Sequence, residues 1–148
     1  MTRRQSLPEQ WLVIDTSLGE EALGRLPRSS GVFVLGSLSG AQLRRLRRIA
    51  RRRRLTVIFE SRGRAARVHD QRELTRALLR RSPLILLSPI HPTTSHPDWT
   101  PFPRMRAATL ARLTGRRAVA LGGMNADRYA KIAQLGFTGW AGISAFRT

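Results

Sequence analysis

The feature that most constrains the fold is an alternation along the chain. Short apolar runs rich in valine, isoleucine and leucine recur, and stretches of amphipathic, helical character lie between most of them. This pattern is typical of βα units arranged around a parallel sheet. It predicts seven strands, at 11–15, 31–36, 55–60, 65–69, 84–90, 118–122 and 139–143, and five helices, at 20–26, 39–53, 71–81, 104–114 and 125–135.

The last predicted helix has the clearest boundaries. Asn125 can accept a hydrogen bond as N-cap, and Asp127 places an acid in the first turn, where the helix dipole favours it. Gly136 supplies the stop. We therefore expect a helix to follow the strand at 118–122 directly.

One connection is too short for the alternation. Only Ser61, Arg62, Gly63 and Arg64 separate the third predicted strand from the fourth, whereas a parallel crossover needs about a dozen residues. Either these strands are not neighbours or a helix common to the architecture has been deleted. A full (β/α)₈ barrel takes about 200 to 250 residues, so we predict a single α/β domain over 1–148: a shortened or incomplete TIM-type (β/α) barrel of about seven strands, with roughly one βα unit missing in the middle.

Composition narrows the classes of protein. The chain has 148 residues and no cysteine, which excludes a disulfide scaffold, a thiolate zinc site and a cysteine nucleophile. No apolar run reaches the roughly 18 residues of a membrane span, so we expect a cytoplasmic protein without membrane contact. The net charge of +18 favours a polyanionic or phosphorylated partner.

Much of the positive charge lies in one segment. Eight of the eleven residues from Arg44 to Arg54 are arginine, and the apolar residues among them fall on one helical stripe. The segment is either the solvated outer face of a barrel helix or a contact with nucleic acid, an anionic membrane or an acidic partner. Aromatic residues make up 6% of the chain and none lies in the run, so specific nucleic-acid recognition is not expected.

A glycine pair marks a candidate anion site. Gly122 and Gly123 lie where a predicted strand ends and the Asn125 helix begins, so their main-chain N–H groups can approach an anion with no Cβ in the way. Ser144 and Ala145, after the last strand, would add N–H groups to the same site. The alternative is that the glycines only permit a tight turn and close packing.

Three segments together resemble one enzyme family. The proline-rich segment LILLSPIHPTTSHP, the strand AVALGGM and the terminal strand GWAGISAF are similar, in order and spacing, to segments of the thiamine phosphate synthase and TenI family. The serine at the start of the first segment and the histidine before its last proline are closest to TenI-like domains fused to Nudix hydrolases. The resemblance covers roughly 67–146 and is weak before it.

The resemblance implies a (β/α) barrel of thiamine biosynthesis that binds thiazole phosphate. It implies that the glycine pair and the last strand's Ser-Ala step hold the phosphate, and that a loop lines the cleft over a pyrimidine diphosphate. The loop residues implied are Ser88 at its start, then Pro92, Thr93 and Ser95. Synthases of the family join the two substrates with loss of pyrophosphate and use Mg²⁺ held by two aspartates.

The chain departs from the family where that metal binds. The first aspartate is replaced by Ser61, which leaves Glu60 beside it, and the second falls in the apparent deletion, where Asp70 is the remaining candidate. Arg62 could supply positive charge to a substrate phosphate without a metal. Because neutralising the leaving pyrophosphate is the main task of such a site, these losses argue against full synthase activity and make Mg²⁺ doubtful.

A histidine is the remaining catalytic candidate. TenI-type thiazole tautomerases use a histidine of the proline-rich loop as acid or base, and His91, with Ser88, is the nearest counterpart here, two residues beyond the equivalent position. Our leading expectation is a phosphate-ester-binding enzyme of this family, either a diphosphorylase-type transferase or a tautomerase. The alternatives are a non-catalytic barrel binding such phosphates or a protein partner, and a basic nucleic-acid-associated protein. An incomplete barrel leaves sheet edges, which favour a homodimer.

Overall fold

Seven parallel strands form one sheet that curves into a nearly closed barrel. The computed structural model describes residues 7–15, 19–93 and 97–142. The strands are β1 (Gln10–Ile14), β2 (Gly31–Val34), β3 (Thr56–Phe59), β4 (Ala65–Val68), β5 (Leu84–Leu87), β6 (Ala118–Leu121) and β7 (Gly139–Gly142). All seven predicted strands are therefore confirmed: β1 is displaced by one residue from its predicted bounds, and the other six are shorter than predicted.

The helices occupy the predicted connections. They are α1 (Glu20–Arg25), α2 (Gly40–Arg53), α3 (Gln71–Leu79), α4 (Arg104–Leu113) and α5 (Ala126–Ala130), with short 3₁₀ helices at Glu60–Arg62 and Ala133–Leu135. The helix predicted over 125–135 is thus only partly right: its cap at Asn125 and its stop at Gly136 are present. Between them the helix gives way to the 3₁₀ helix after Ala130.

The order of strands in the sheet is β3-β2-β1-β7-β6-β5-β4, and every neighbouring pair is parallel. Strands β3 and β4 are the two edges, which identifies the short connection noted in the sequence as the seam of the barrel. Residues 61–64 are too few for a parallel crossover, and the chain instead makes one 3₁₀ turn and starts the opposite edge. The expectation of a shortened barrel with a unit missing in its middle is confirmed.

Alternating residues on the strands form two cores. Trp11, Phe33 and Leu86 belong to the cluster on the inner face of the sheet. Their neighbours along the strands, such as Leu12, Val32 and Leu87, pack with the buried sides of the helices. Because both faces of the five inner strands are buried, those strands are continuous apolar runs rather than alternating ones. The edge strands β3 and β4 each contain an exposed residue, Thr56 and Arg67.

Buried residues also fix the orientation of each helix. Leu46 and Ala50 are the buried residues of α2, and Leu74 and Ala77 those of α3.

No helix within the described ranges is long and apolar enough to cross a membrane. The carboxyl ends of all seven strands meet at one rim of the barrel, where barrels of this type place their sites.

Candidate functional site

The turn after β6 is formed by the two glycines singled out in the sequence. Gly122 has φ 99° and Gly123 has φ 59°, a conformation that side-chain-bearing residues rarely adopt. A Cβ on Gly122 would lie 2.8 Å from Cα of Pro89, and one on Gly123 would collide with the carbonyl oxygen of Pro92. The loop after β5 therefore packs directly on this turn, as the close-packing interpretation of the glycines requires.

Main-chain hydrogen bonds hold that loop in place. The N–H of Ile90 donates to the carbonyl of Leu121 at 3.0 Å, and the N–H of His91 donates to the carbonyl of Gly122 at 3.1 Å. The N–H of Ser88 donates to the carbonyl of Val68 at 3.0 Å on the other side, and Ser88 is buried. The start of the loop thus continues β5 between the ends of β4 and β6, which brings Ser88, His91 and Pro92 to the rim beside the glycines.

The glycine turn leaves main-chain donors without acceptors. Among the described residues, no hydrogen-bond acceptor is found for the N–H groups of Gly123 and Met124. Met124 as a whole residue is only 4% exposed, and main-chain N–H groups in such surroundings usually have a partner. Asn125 then caps α5 by accepting a 2.8 Å hydrogen bond from the N–H of Arg128.

Positive charge surrounds this turn. Arg128 donates from Nη1 to the carbonyl of Gly123, so its guanidinium is held against the turn. Arg104 donates from Nη2 to the carbonyl of Lys131 at 2.9 Å, which ties the start of α4 to the end of α5. Arg104, Arg128 and Lys131 were not among the predicted site residues. The available signal was the position of Arg104 and Arg128 near the starts of α4 and α5, the helices that follow β5 and β6. Lys131 lies at the end of α5 and has no such signal.

A small cavity of about 150 Å³ lies next to the turn, between α4 and α5. Its walls are mostly apolar, and its polar lining residues are His91 and the three cations Arg104, Arg128 and Lys131. The pKa of His91 is lowered from 6.5, first by burial and then by the charges of Arg128 and Lys131. Burial and these charges therefore favour the neutral form of the imidazole over the protonated form.

The predicted metal candidates are engaged elsewhere. Glu60 accepts a 2.9 Å hydrogen bond from Nε of Arg67 in an ion pair. Asp70 accepts a 2.8 Å hydrogen bond from the N–H of Glu73 as the N-cap of α3. Within the described ranges, which contain all nine acidic residues of the chain, no three acidic or histidine side chains are grouped to hold a metal ion. These residues do not fit the Mg²⁺ site of a synthase.

The structure also separates some of the predicted residues. Arg62 lies in the 3₁₀ helix at the seam, where its guanidinium stacks 4.6 Å above the ring of Phe59. Thr93 lies at the end of the described part of the loop and is half-buried. Ser95, Ser144 and Ala145 lie outside the described residues. Gly122, Gly123, Ser88, His91 and Pro92 are brought together, whereas Arg62, Glu60 and Asp70 are not part of that group.

A second contact anchors the far part of the loop. The ring of His69 meets that of Trp99 edge to face, with centroids 4.9 Å apart. Nδ1 of His69 also lies 3.1 Å from a carboxylate oxygen of Glu73. His69 is therefore a structural residue that fixes Trp99, the one aromatic side chain of the loop between Pro97 and Pro101.

Comparison with known proteins identifies the family. A search of the curated proteins found no match to this chain. The family model for thiamine monophosphate synthase matches residues 63–146, more than half of the chain. The match contains the glycine turn, the proline-rich loop and the last strand, the three segments that carried the resemblance. The chain belongs to the thiamine monophosphate synthase and TenI family.

Proposed function

We propose that this protein binds a phosphate ester of the thiazole phosphate class at the turn after β6. The observation that carries the proposal is the pair of main-chain N–H groups, of Gly123 and Met124, for which the described residues supply no acceptor. Two successive N–H groups at a turn that opens a helix form a concave donor site suited to a phosphate dianion.

The electrostatic surroundings support an anionic ligand. Arg128 is held against the turn through the Gly123 carbonyl. Lys131 and Arg104 line the adjoining cavity, whose volume of about 150 Å³ resembles that of cavities known to take a single small ring. A heterocycle with a short phosphorylated arm suits this region, because the ring would enter the cavity and the phosphate would meet the N–H groups of the turn.

We propose further that the ligand is bound without Mg²⁺-dependent coupling to hydroxymethylpyrimidine diphosphate. Glu60 is paired with Arg67 and Asp70 caps α3, so neither carboxylate is free to hold the Mg²⁺ that would neutralise a pyrophosphate. A transferase of this class depends on such neutralisation in the transition state. The function best supported is therefore that of a TenI-like ligand-binding barrel.

A second candidate function is thiazole tautomerisation, and His91 favours it. His91 packs against the glycine turn, since a Cβ on Gly123 would lie 3.0 Å from Cβ of His91. A pKa lowered from 6.5 favours the neutral imidazole, which is the form that can accept a proton. Under this candidate, His91→Gln would remove tautomerase activity and leave ligand affinity within about twofold, which corresponds to about 0.4 kcal/mol.

Calorimetric titration with thiazole phosphate tests the proposal. We expect saturable binding that is lost with the unphosphorylated thiazole alcohol, because the N–H donors recognise the dianion. Arg128→Gln should weaken binding about tenfold, as expected for the loss of one charge near a phosphate. The exposed Arg106 provides the matched control: Arg106→Gln should leave affinity unchanged. Equal binding of the phosphate and the alcohol would contradict the proposal.

An assay with both substrates and Mg²⁺ tests the proposed absence of coupling. We expect no thiamine phosphate above the uncatalysed rate, even at saturating thiazole phosphate. Turnover that depends on Mg²⁺ would show that the metal is held by groups other than Glu60 and Asp70, and the binding-only proposal would then be wrong.

A further inference from the structure

The outer face of α2 carries five arginine side chains that together line a shallow groove: Arg44, Arg47, Arg48, Arg51 and Arg52. All five are exposed. They follow the spacing i, i+3, i+4, i+7 and i+8, so they form one continuous stripe along the helix. At a rise of about 1.5 Å per residue, the stripe is about 12 Å long. We call this surface the arginine stripe.

The charges of the arginine stripe are not neutralised within the protein. Glu20 accepts a hydrogen bond from Arg45, beside the stripe, at 2.9 Å. No ion pair joins an acidic side chain to any of the five arginines, and all nine acidic residues lie in the described part of the chain. Five like charges without counter-ions repel one another and give this face a strong positive potential.

The orientation of the arginine stripe is fixed by packing. Leu46 and Ala50, on the opposite side of α2, are buried in the core. The start of the helix is held by a capping box, in which Ser39 and Gln42 exchange hydrogen bonds of 2.9 and 3.2 Å. A rigid helix therefore presents the arginines outward. Because the backbone is already ordered, binding a partner does not require it to fold.

We propose that the arginine stripe binds the phosphate backbone of double-stranded nucleic acid without sequence preference. A duplex carries one negative charge per about 1.7 Å of its axis, a density high enough to meet all five guanidiniums at once. Arginine suits this contact because its planar donors match phosphate oxygens. Charge complementarity alone would give no sequence readout, since base edges are not reached.

Two other polyanions fit the arginine stripe less well. Single-stranded nucleic acid is bound on aromatic platforms, and Gly40–Arg53 contains no aromatic residue. A helix lying in a membrane surface inserts apolar side chains, whereas the leucine and isoleucine side chains of α2 are buried or half-buried beneath it. Binding to the backbone of duplex nucleic acid requires only a positively charged surface, which the arginine stripe provides.

Fluorescence anisotropy with a labelled generic duplex, measured over a series of salt concentrations, tests this proposal. If the five arginines each neutralise one phosphate, the logarithm of the binding constant should fall against the logarithm of salt with a slope of about −4.5. Replacing all five by glutamine should remove most of that slope. Arg47→Gln with Arg51→Gln, a milder change, should reduce it by about 1.8.

The matched control replaces five exposed arginines elsewhere: Arg64, Arg72, Arg76, Arg80 and Arg106. This variant has the same net charge as the five-residue stripe variant, and it should keep at least two-thirds of the slope. Equal losses in the two variants would overturn the proposal, because binding would then follow net charge rather than the stripe. Tighter binding to a single strand, or to vesicles containing phosphatidylserine, would also overturn it. Thermal melts identify any variant that fails to fold, in which case the two-residue variant decides.

Discussion

Arg67 and Glu60 join the two edges of the barrel, with Nε of Arg67 lying 2.9 Å from Oε1 of Glu60. Glu60 follows β3 and Arg67 lies on β4. These two strands are the opposite edges of the sheet and are not paired with each other. A single ion pair therefore spans the seam where the sequence lacks a βα unit. The carboxylate that stands beside the family's metal position serves instead to close a shortened barrel.

A double-mutant cycle of Glu60→Gln and Arg67→Gln measures this contact. The side chains are 28% and 38% exposed, so we expect a coupling of about 0.5 to 1 kcal/mol in the free energy of unfolding, measured by urea denaturation. The Glu20–Arg45 pair has the same 2.9 Å separation but side chains 54% and 64% exposed, and it should couple more weakly. A stronger coupling for Glu20–Arg45 would show that the seam pair does not stabilise the barrel.

The glycine turn can be tested by a single methyl group. Gly122→Ala places Cβ 2.8 Å from Cα of Pro89 at a residue with φ 99°, so it combines backbone strain with a collision. We expect the free energy of unfolding, measured by chemical denaturation, to fall by about 2 to 4 kcal/mol.

Gly115 provides the control for that substitution. It has φ 61°, and a Cβ there would meet nothing within 4 Å. Gly115→Ala should therefore lower the free energy of unfolding by only about 1 to 2 kcal/mol, because backbone strain is the one effect present. Equal losses at the two positions would indicate that the loop after β5 does not pack on Gly122 as described.

His91 makes the stability of the folded protein depend on pH. Its pKa is lowered from 6.5 by burial and by Arg128 and Lys131, so below pH 6.5 the unfolded chain takes up the proton more readily than the folded one. The contribution of His91 to stability is complete above pH 6.5 and is lost as the pH falls through its folded pKa. An NMR titration of the His91 ring should show a midpoint below 6.5.

Neutralising one neighbour should raise that midpoint. Arg128→Gln removes one of the two repelling charges, so the pKa of His91 should move toward 6.5, whereas the exposed Arg106→Gln should leave it unchanged. A midpoint at or above 6.5 in the unmodified protein would mean that the imidazole is neither buried nor close to these cations.

The fold was largely predictable because parallel strands and their helices leave a local pattern. Each of the five inner strands is an apolar run that is almost wholly buried, and caps such as Asn125 mark where helices start. The seam was recognisable from a count of residues between Glu60 and Ala65. The break of the last helix after Ala130 was not, because no proline or glycine marks it within Ala126–Leu135.

The sequence predicted the glycine turn of the candidate site, and the family resemblance pointed to Ser88 and His91 beside it, but the neighbouring cations were not predicted. Gly122 and Gly123 follow a strand and precede a cap, so their role can be inferred from local sequence. The pairing of Glu60 with Arg67 and the position of Arg128 against Gly123 depend on side-chain directions that local sequence does not specify. Arg62 was a candidate for supplying charge to a substrate phosphate, whereas the structure stacks it on Phe59 at the seam.

The main-chain donors of the glycine turn can be observed directly. In a titration of isotopically labelled protein with thiazole phosphate, followed by amide NMR, we expect the N–H resonances of Gly123 and Met124 to show the largest downfield shifts, saturating with the same dissociation constant as calorimetry. The unphosphorylated alcohol should leave both resonances in place. If the phosphate binds while those two amides do not move, the ligand is held elsewhere and the account of this site is wrong.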